Sequence, residues 1–188
     1  LCCAISLGIP PRIAKAAVSE VSYIEGRMEK VHDSPDIYID YAHTPAALEA
    51  ALRLISGSVQ KRGRIITVFG CGGERDREKR PIMAAVAEKY SSVVVVTEDN
   101  CRNERLTDIF RDILVGFSGS AHKIIANRER AIDYAVATAK ENDTVLIAGK
   151  GHEEYTIGAG GILPYSEKNA IYKALKLREE GNNKRHEN

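Results

Sequence analysis

Residues 64–100 read RIITVFGCGGERDREKRPIMAAVAEKYSSVVVVTEDN, and this stretch decides the fold. Residues 64–69 are a β-branched and apolar run that stops at a glycine loop, Gly70-Cys71-Gly72-Gly73. Pro81 then opens a helix, where its missing N–H costs nothing, and Ile82, Val86 and Tyr90 share one face. The consecutive valines 93–96 make a strand of the kind found in sheets covered on both sides. Strand, glycine loop, helix and buried strand form the unit of a parallel sheet.

The unit repeats outward in both directions. Upstream, Ile37-Tyr38-Ile39 forms a strand ending in Asp40. Thr44 caps the next helix, Pro45 opens it, Leu48, Leu52 and Ile55 are its buried stripe, and Gly57 can end it. Downstream, Thr107 and Asp108 start a helix with Ile109, Ile113 and Phe117 in line. Residues 123–126 form a short strand, and Asn127 caps a helix with Ile132, Val136 and Ala139 inward. Residues 144–148 form another strand. Thr156-Ile157 and Ile162-Leu163, joined by 158–161, read as a hairpin that adds an antiparallel edge strand. A last helix covers 166–178.

Residues 1–25 read as two short helices divided by Gly8 and Pro10-Pro11, with a boundary before Gly26-Arg27. Residues 26–179 form the main domain, and the polar tail 180–188 is expected to be disordered. The fold class is therefore α/β: a mostly parallel sheet, helices on both faces, an antiparallel edge strand and a short helical segment at the N-terminus.

Bulk properties narrow the function. The 188 residues carry a formal net charge of +1, which argues against nucleic acid or an anionic membrane as partner. No apolar run approaches the ~20 residues of a membrane span, and no signal-peptide pattern opens the chain. Cys2, Cys3, Cys71 and Cys101 lack the spacing of a zinc or redox motif and read as free thiols of a reducing cytosol.

In open parallel sheets, ligands bind beyond the carboxyl ends of the strands. The loops after Ile39, Phe69, Thr97 and Ala148 all emerge there. Asp40-Tyr41-Ala42-His43 enters a helix N-terminus, which favours phosphate, with Asp40 suited to a ribose hydroxyl. The loop 70–81 combines close-approach glycines with Arg75 and other charges, but not in a G-x-G-x-x-G spacing. In the loop 97–104, Arg102 can pair with a carboxylate and Asp99 with an ammonium, which suits a zwitterion. The loop 148–155, AGKGHEEY, lacks the Ser or Thr of a phosphate loop after Lys150. Taken singly, each loop reads equally well as a cap, a solvated turn or a polar helix entry.

Taken together, DYAHTP at 40–45, VFGCGGERDREKRP at 68–81, EDNCR at 98–102 and AGKGHEEY at 148–155 resemble the Mur ligases that attach the third amino acid of the cell-wall precursor. Gly26-Arg27-Met28-Glu29 is similar to the opening of that family's C-terminal domain. The resemblance covers almost the whole chain. It implies a Rossmann-like C-terminal domain, with 1–25 a helical remnant of a central ATPase domain. It implies ATP and Mg2+ as cofactors, with the Mg2+ ligands and the phosphate loop outside this chain and no catalytic residue within it. The implied reaction activates a carboxylate of the UDP-N-acetylmuramoyl-dipeptide as an acyl phosphate, which the incoming amino group displaces. Further implied partners are meso-diaminopimelate and the enzyme's own N-terminal and central domains, in the cytoplasm. The resemblance makes Arg27, Asp40, Tyr41 and His43 nucleotide contacts. It makes Arg75, Asp99, Asn100, Arg102, Gly149 and Glu153 the diaminopimelate pocket. The sequence departs from the family at Cys101, Leu106 and Glu25, where proline is usual. A lysine-adding homologue and a non-enzymatic nucleotide-binding module remain the alternatives.

Overall fold

The computed structural model describes residues 1–58 and 63–186. Two short helices, α1 (Cys2–Ser6) and α2 (Pro11–Glu20), come first. Then follow β1 (Glu29–Asp33), β2 (Asp36–Asp40), α3 (Pro45–Ser58), β3 (Ile65–Phe69), α4 (Lys79–Tyr90) and β4 (Val93–Val96). The chain continues through α5 (Leu106–Leu114), β5 (His122–Ile124), α6 (Arg128–Thr138), β6 (Thr144–Ala148), β7 (Tyr155–Gly158), β8 (Gly161–Pro164) and α7 (Glu167–His186).

The main sheet has the order β1-β2-β6-β3-β4-β5. Strands β2, β6, β3, β4 and β5 are parallel, and β1 pairs antiparallel with β2. Successive residues of a strand face opposite sides, and the core divides accordingly. Ile66, Val68, Val95, Val145 and Ile147 pack with Ile132 and Val136 of α6 and Ile171 and Ala174 of α7. Phe69, Val94, Val96 and Leu146 pack with Leu48 and Leu52 of α3, Met83 and Ala87 of α4, and Ile109 and Ile113 of α5. Both faces of the sheet are thus covered, which is why its strands read as continuous apolar runs.

Caps set several helix starts. Thr44 Oγ1 accepts from Ala47 N at 3.3 Å, and Asn127 Oδ1 accepts from Arg130 N at 2.9 Å. Both match the sequence reading, as do the buried stripes of α3 and α6.

Other expectations need correction. The hairpin β7–β8 is a separate two-stranded sheet, and the antiparallel edge strand is β1. The hairpin is held instead by the loop after β4: Arg102 N donates to Ile157 O at 3.0 Å, and Ile157 N donates to Asn100 Oδ1 at 2.9 Å. The buried face of α4 is Met83, Ala84 and Ala87, while Ile82 is 52% exposed. Small residues let this helix sit close to the sheet, and the larger apolar side chains lie to its flank. Gly57 lies inside α3 rather than ending it. Helix α7 runs on to His186, into the tail expected to be disordered. Residues 187–188 lie outside the described part.

Helix α1 buries no residue and α2 buries only Ala14. Leu7, Ile13, Val18 and Val21 are all more than half exposed. The two helices therefore add nothing to the core of residues 26–186.

Candidate functional site

Because β2, β3, β4 and β6 are parallel, their following loops gather at one edge. Gly73 N donates to Asn100 O at 2.9 Å, and Gly149 N donates to Asp40 O at 3.0 Å, so the four loops are stitched in pairs. They enclose a cavity of about 550 Å³ whose walls include Arg75, Asp99, Asn100, Arg102, Gly149 and Glu153. A second cavity, about 490 Å³, adjoins it and is lined by Arg27, Asp40, Tyr41 and His43 over the apolar floor of Ala47 and Leu54. Tyr41 and His43 line both. The six residues expected to bind diaminopimelate thus share the larger cavity, while of the four expected to contact nucleotide only Arg27 and Asp40 are confined to the smaller one.

The larger cavity has walls of opposite charge. On one side, Glu153 Oε2 accepts from Asn100 Nδ2 at 2.9 Å, and Glu153 Oε1 accepts from the Tyr41 hydroxyl at 3.4 Å. Asp99 lies beside it. Burial pushes its carboxyl up, but Arg128 and Lys150 outweigh this and hold it below the usual range, so it is ionised at neutral pH. Gly149 has φ +122°, and a Cβ there would lie 3.0 Å from Asp99 Oδ2, so only glycine leaves this carboxylate open.

On the other side, Arg102 Nη1 donates to Gly73 O at 2.8 Å and Asn100 O at 3.2 Å. Two backbone carbonyls therefore fix the guanidinium, leaving the Nε–Nη2 edge as a two-point donor. Arg75 is exposed and makes no hydrogen bond or ion pair among the described residues. Arg102 and Glu74 have φ of +53° and +54°, left-handed conformations that non-glycine residues rarely hold. Such strain gathers where side-chain direction matters.

In the smaller cavity, Arg27 stacks over the Tyr41 ring at 4.3 Å, and the Tyr41 and His43 rings meet edge-on at 4.6 Å. Asp40 has a structural duty as well. Its carboxylate accepts from Met28 N and Ala42 N, both at 2.8 Å, which pins Met28 at φ +43°. A ribose hydroxyl would have to share this carboxylate.

Sequence reasoning missed three buried cations that hold the loops. Arg80, fully buried, donates to Glu104 and Asp112 at 2.7 Å and to Gly72 O at 3.2 Å. Arg128 pairs with Glu167 at 2.6 Å, with both side chains 2% exposed, and reaches Glu98 O and Ala148 O. Lys150 lies beneath the acidic wall, 3.4 Å from Asp99 Oδ1. A signal was available for Arg80, in its place beside Pro81 at a helix start, and for Lys150, in the glycines on either side of it; nothing local marked Arg128.

Two expected results follow. The Arg80 contact holds the Glu104 carboxyl down to about 2, from an ordinary 4.5. A depressed carboxylate stabilises fully above its unfolded pKa and loses that contribution as pH falls through the folded one. Stability should therefore drop between pH 4.5 and about 2, with Asp112 and Asp143, also held low, adding to it. Urea titrations across that window should show a shallower pH slope for Glu104→Gln. Cys101 Sγ lies 3.9 Å from Ile157 O, its side chain packs half-buried on the core, and its backbone N–H donates to no backbone group among the described residues. Cys101→Pro should therefore fold normally and gain ~0.4–1 kcal/mol by restricting the unfolded chain, as read by thermal denaturation.

The chain is similar to known proteins in sequence and in fold. The family described as Mur ligase, glutamate ligase domain, matches residues 26–151. The chain is 45% identical over 170 residues to the UDP-N-acetylmuramoyl-L-alanyl-D-glutamate--2,6-diaminopimelate ligase of Chromobacterium violaceum, covering 89% of this chain and 34% of that protein. It is 41% identical to the Haemophilus influenzae (strain Rd) protein of the same name, covering 92% of this chain and 36% of that one. A solved structure of a ligase with this name superposes with a TM-score of 0.77 at 33% identity, covering 94% of this chain and 37% of that one. The chain therefore spans about a third of the length of these relatives. With the match running from the first site loop into the fourth, the chain belongs to the Mur ligase family.

Proposed function

We propose that this chain supplies the amino-acid-accepting side of an ATP-dependent ligase that joins meso-diaminopimelate to UDP-N-acetylmuramoyl-L-alanyl-D-glutamate in cytoplasmic peptidoglycan precursor synthesis. The observation that carries this reading is the pair of opposed walls in one cavity. Diaminopimelate ends in a carboxylate and an ammonium at each tip. Arg102, assisted by Arg75, takes the distal carboxylate, and Glu153 and Asp99 take the distal ammonium. The other amino group is left to reach the activated carboxylate of the precursor. Holding that group in place is the chain's contribution to rate, since positioning accounts for much of such catalysis.

The smaller cavity fits part of a nucleotide: an aromatic and cationic rim formed by Tyr41, His43 and Arg27 over an apolar floor. ATP supplies the phosphoryl group that activates the carboxylate. The family resemblance puts the Mg2+ ligands in the central domain of the complete ligase. Residues 1–25, with their exposed apolar side chains, are proposed to pack on the central domain of the complete ligase.

The test is product formation. The complete ligase carrying this chain, given ATP, Mg2+, precursor and meso-diaminopimelate, should yield the tripeptide product by mass spectrometry. The 188-residue chain alone should turn over no ATP. Product from lysine but not from diaminopimelate would overturn the substrate assignment.

A further inference from the structure

Lys150 is buried beneath the larger cavity, with its side chain 1% exposed. It does not line that cavity. Its Nζ donates to Asn100 Oδ1 at 2.8 Å and to Tyr155 O at 3.0 Å, and Asp99 Oδ1 and Glu153 Oε2 lie 3.4 and 3.9 Å away. Whatever Lys150 does for a ligand, it does through these neighbours.

The decisive neighbour is Asn100. The two ends of its amide are nearly equal in shape and opposite in role, one accepting and the other donating. The Oδ1 end receives both Lys150 Nζ and Ile157 N, which turns Nδ2 toward Glu153 Oε2. A flipped amide would set its NH2 against an ammonium and its oxygen against a carboxylate. The other Glu153 oxygen takes the Tyr41 hydroxyl, and burial together with the adjacent Glu153 raises the phenol above its usual range, keeping it a donor. Arg128 is already committed to Glu167 and to two backbone carbonyls.

We propose that Lys150 is a positioning residue: it locks the Asn100 amide so that Glu153 stands fixed to receive the ligand's ammonium. Lys150 thereby sets the preference for a diacid that carries amino groups over one that lacks them. This rests on the reading of the larger cavity as the diaminopimelate pocket.

The test compares meso-diaminopimelate with pimelate, which has the same carbon chain and terminal carboxylates but no amino groups. Dissociation constants for both are measured by NMR titration of the 188-residue chain. Wild type should favour diaminopimelate by ~10-fold or more, as expected when a site is built around a polar contact. Lys150→Met, of similar size, should lose that preference while its pimelate constant stays within about twofold, because the arginine wall is untouched. Equal weakening of both ligands would mean a merely structural lysine and overturn the proposal. Should Lys150→Met not fold, Asn100→Asp decides instead. It keeps a partner for Lys150 but has no donor for Glu153, so it must show the same loss of preference; a retained preference overturns the proposal. Wild type that binds neither ligand would overturn the pocket reading itself.

Discussion

Arg102→Ala should reduce the preference of the complete ligase for meso-diaminopimelate over lysine by ~10²-fold or more, toward the ~10⁴-fold that such sites reach in favourable cases. Lysine has no distal carboxylate. Binding it would leave the Nε–Nη2 edge of Arg102 enclosed without an acceptor, and that desolvated charge is a large part of the penalty. Two carbonyls already hold the guanidinium, so little side-chain freedom is lost when the substrate arrives. Arg102→Lys should not restore the preference, because an ammonium cannot make a planar two-bond contact. Steady-state kinetics with both amino acids measure the ratio. If it is unchanged in Arg102→Ala, the selector is the uncommitted Arg75.

Arg128→Ala should cost the fold about 3–5 kcal/mol, the range found when one member of a buried ion pair is removed. Glu167 would be left buried and charged, and the carbonyls of Glu98 and Ala148 would lose their donor. A double replacement, Arg128→Met with Glu167→Leu, should recover most of this stability, since apolar residues of similar volume often replace a buried pair without loss. It should not recover site geometry, because Arg128 also joins the loop after β4 to the loop after β6. Urea midpoints read the stability, and the diaminopimelate affinity of the double variant reads the geometry.

The sequence revealed what is periodic and local. Strands β2, β3, β4 and β6 are apolar because both faces of the sheet are covered, and the Thr44 and Asn127 caps are visible as single residues before a helix. Strand β1, Glu-Lys-Val-His-Asp, is mostly polar because it lies at an edge, so nothing in its composition announced it. The hairpin was recognisable, but its partner was not, since its anchor is the side chain and backbone of Asn100 and Arg102.

The same division holds at the site. The glycines and charges of the four loops marked the ligand edge, and the family resemblance named the individual residues that line the two cavities. The cations beneath them did not stand out, because Lys and Arg read as surface residues until a fold brings their acceptors close. Arg128 meets Glu167 across 39 positions and Lys150 meets Asn100 across 50, separations no local pattern can join. Asp40 shows the converse: its ligand-edge position was legible, while its grip on Met28 N was not.

The central claim is that the cavity between Arg102 and Glu153 binds diaminopimelate. The most direct measurement is amide NMR of the 188-residue chain titrated with meso-diaminopimelate, with lysine as control. The account predicts saturable shifts centred on Asn100, Arg102, Gly149 and Glu153, with much smaller ones for lysine at equal concentration. Shifts that centre elsewhere, or that lysine reproduces in full, would contradict it.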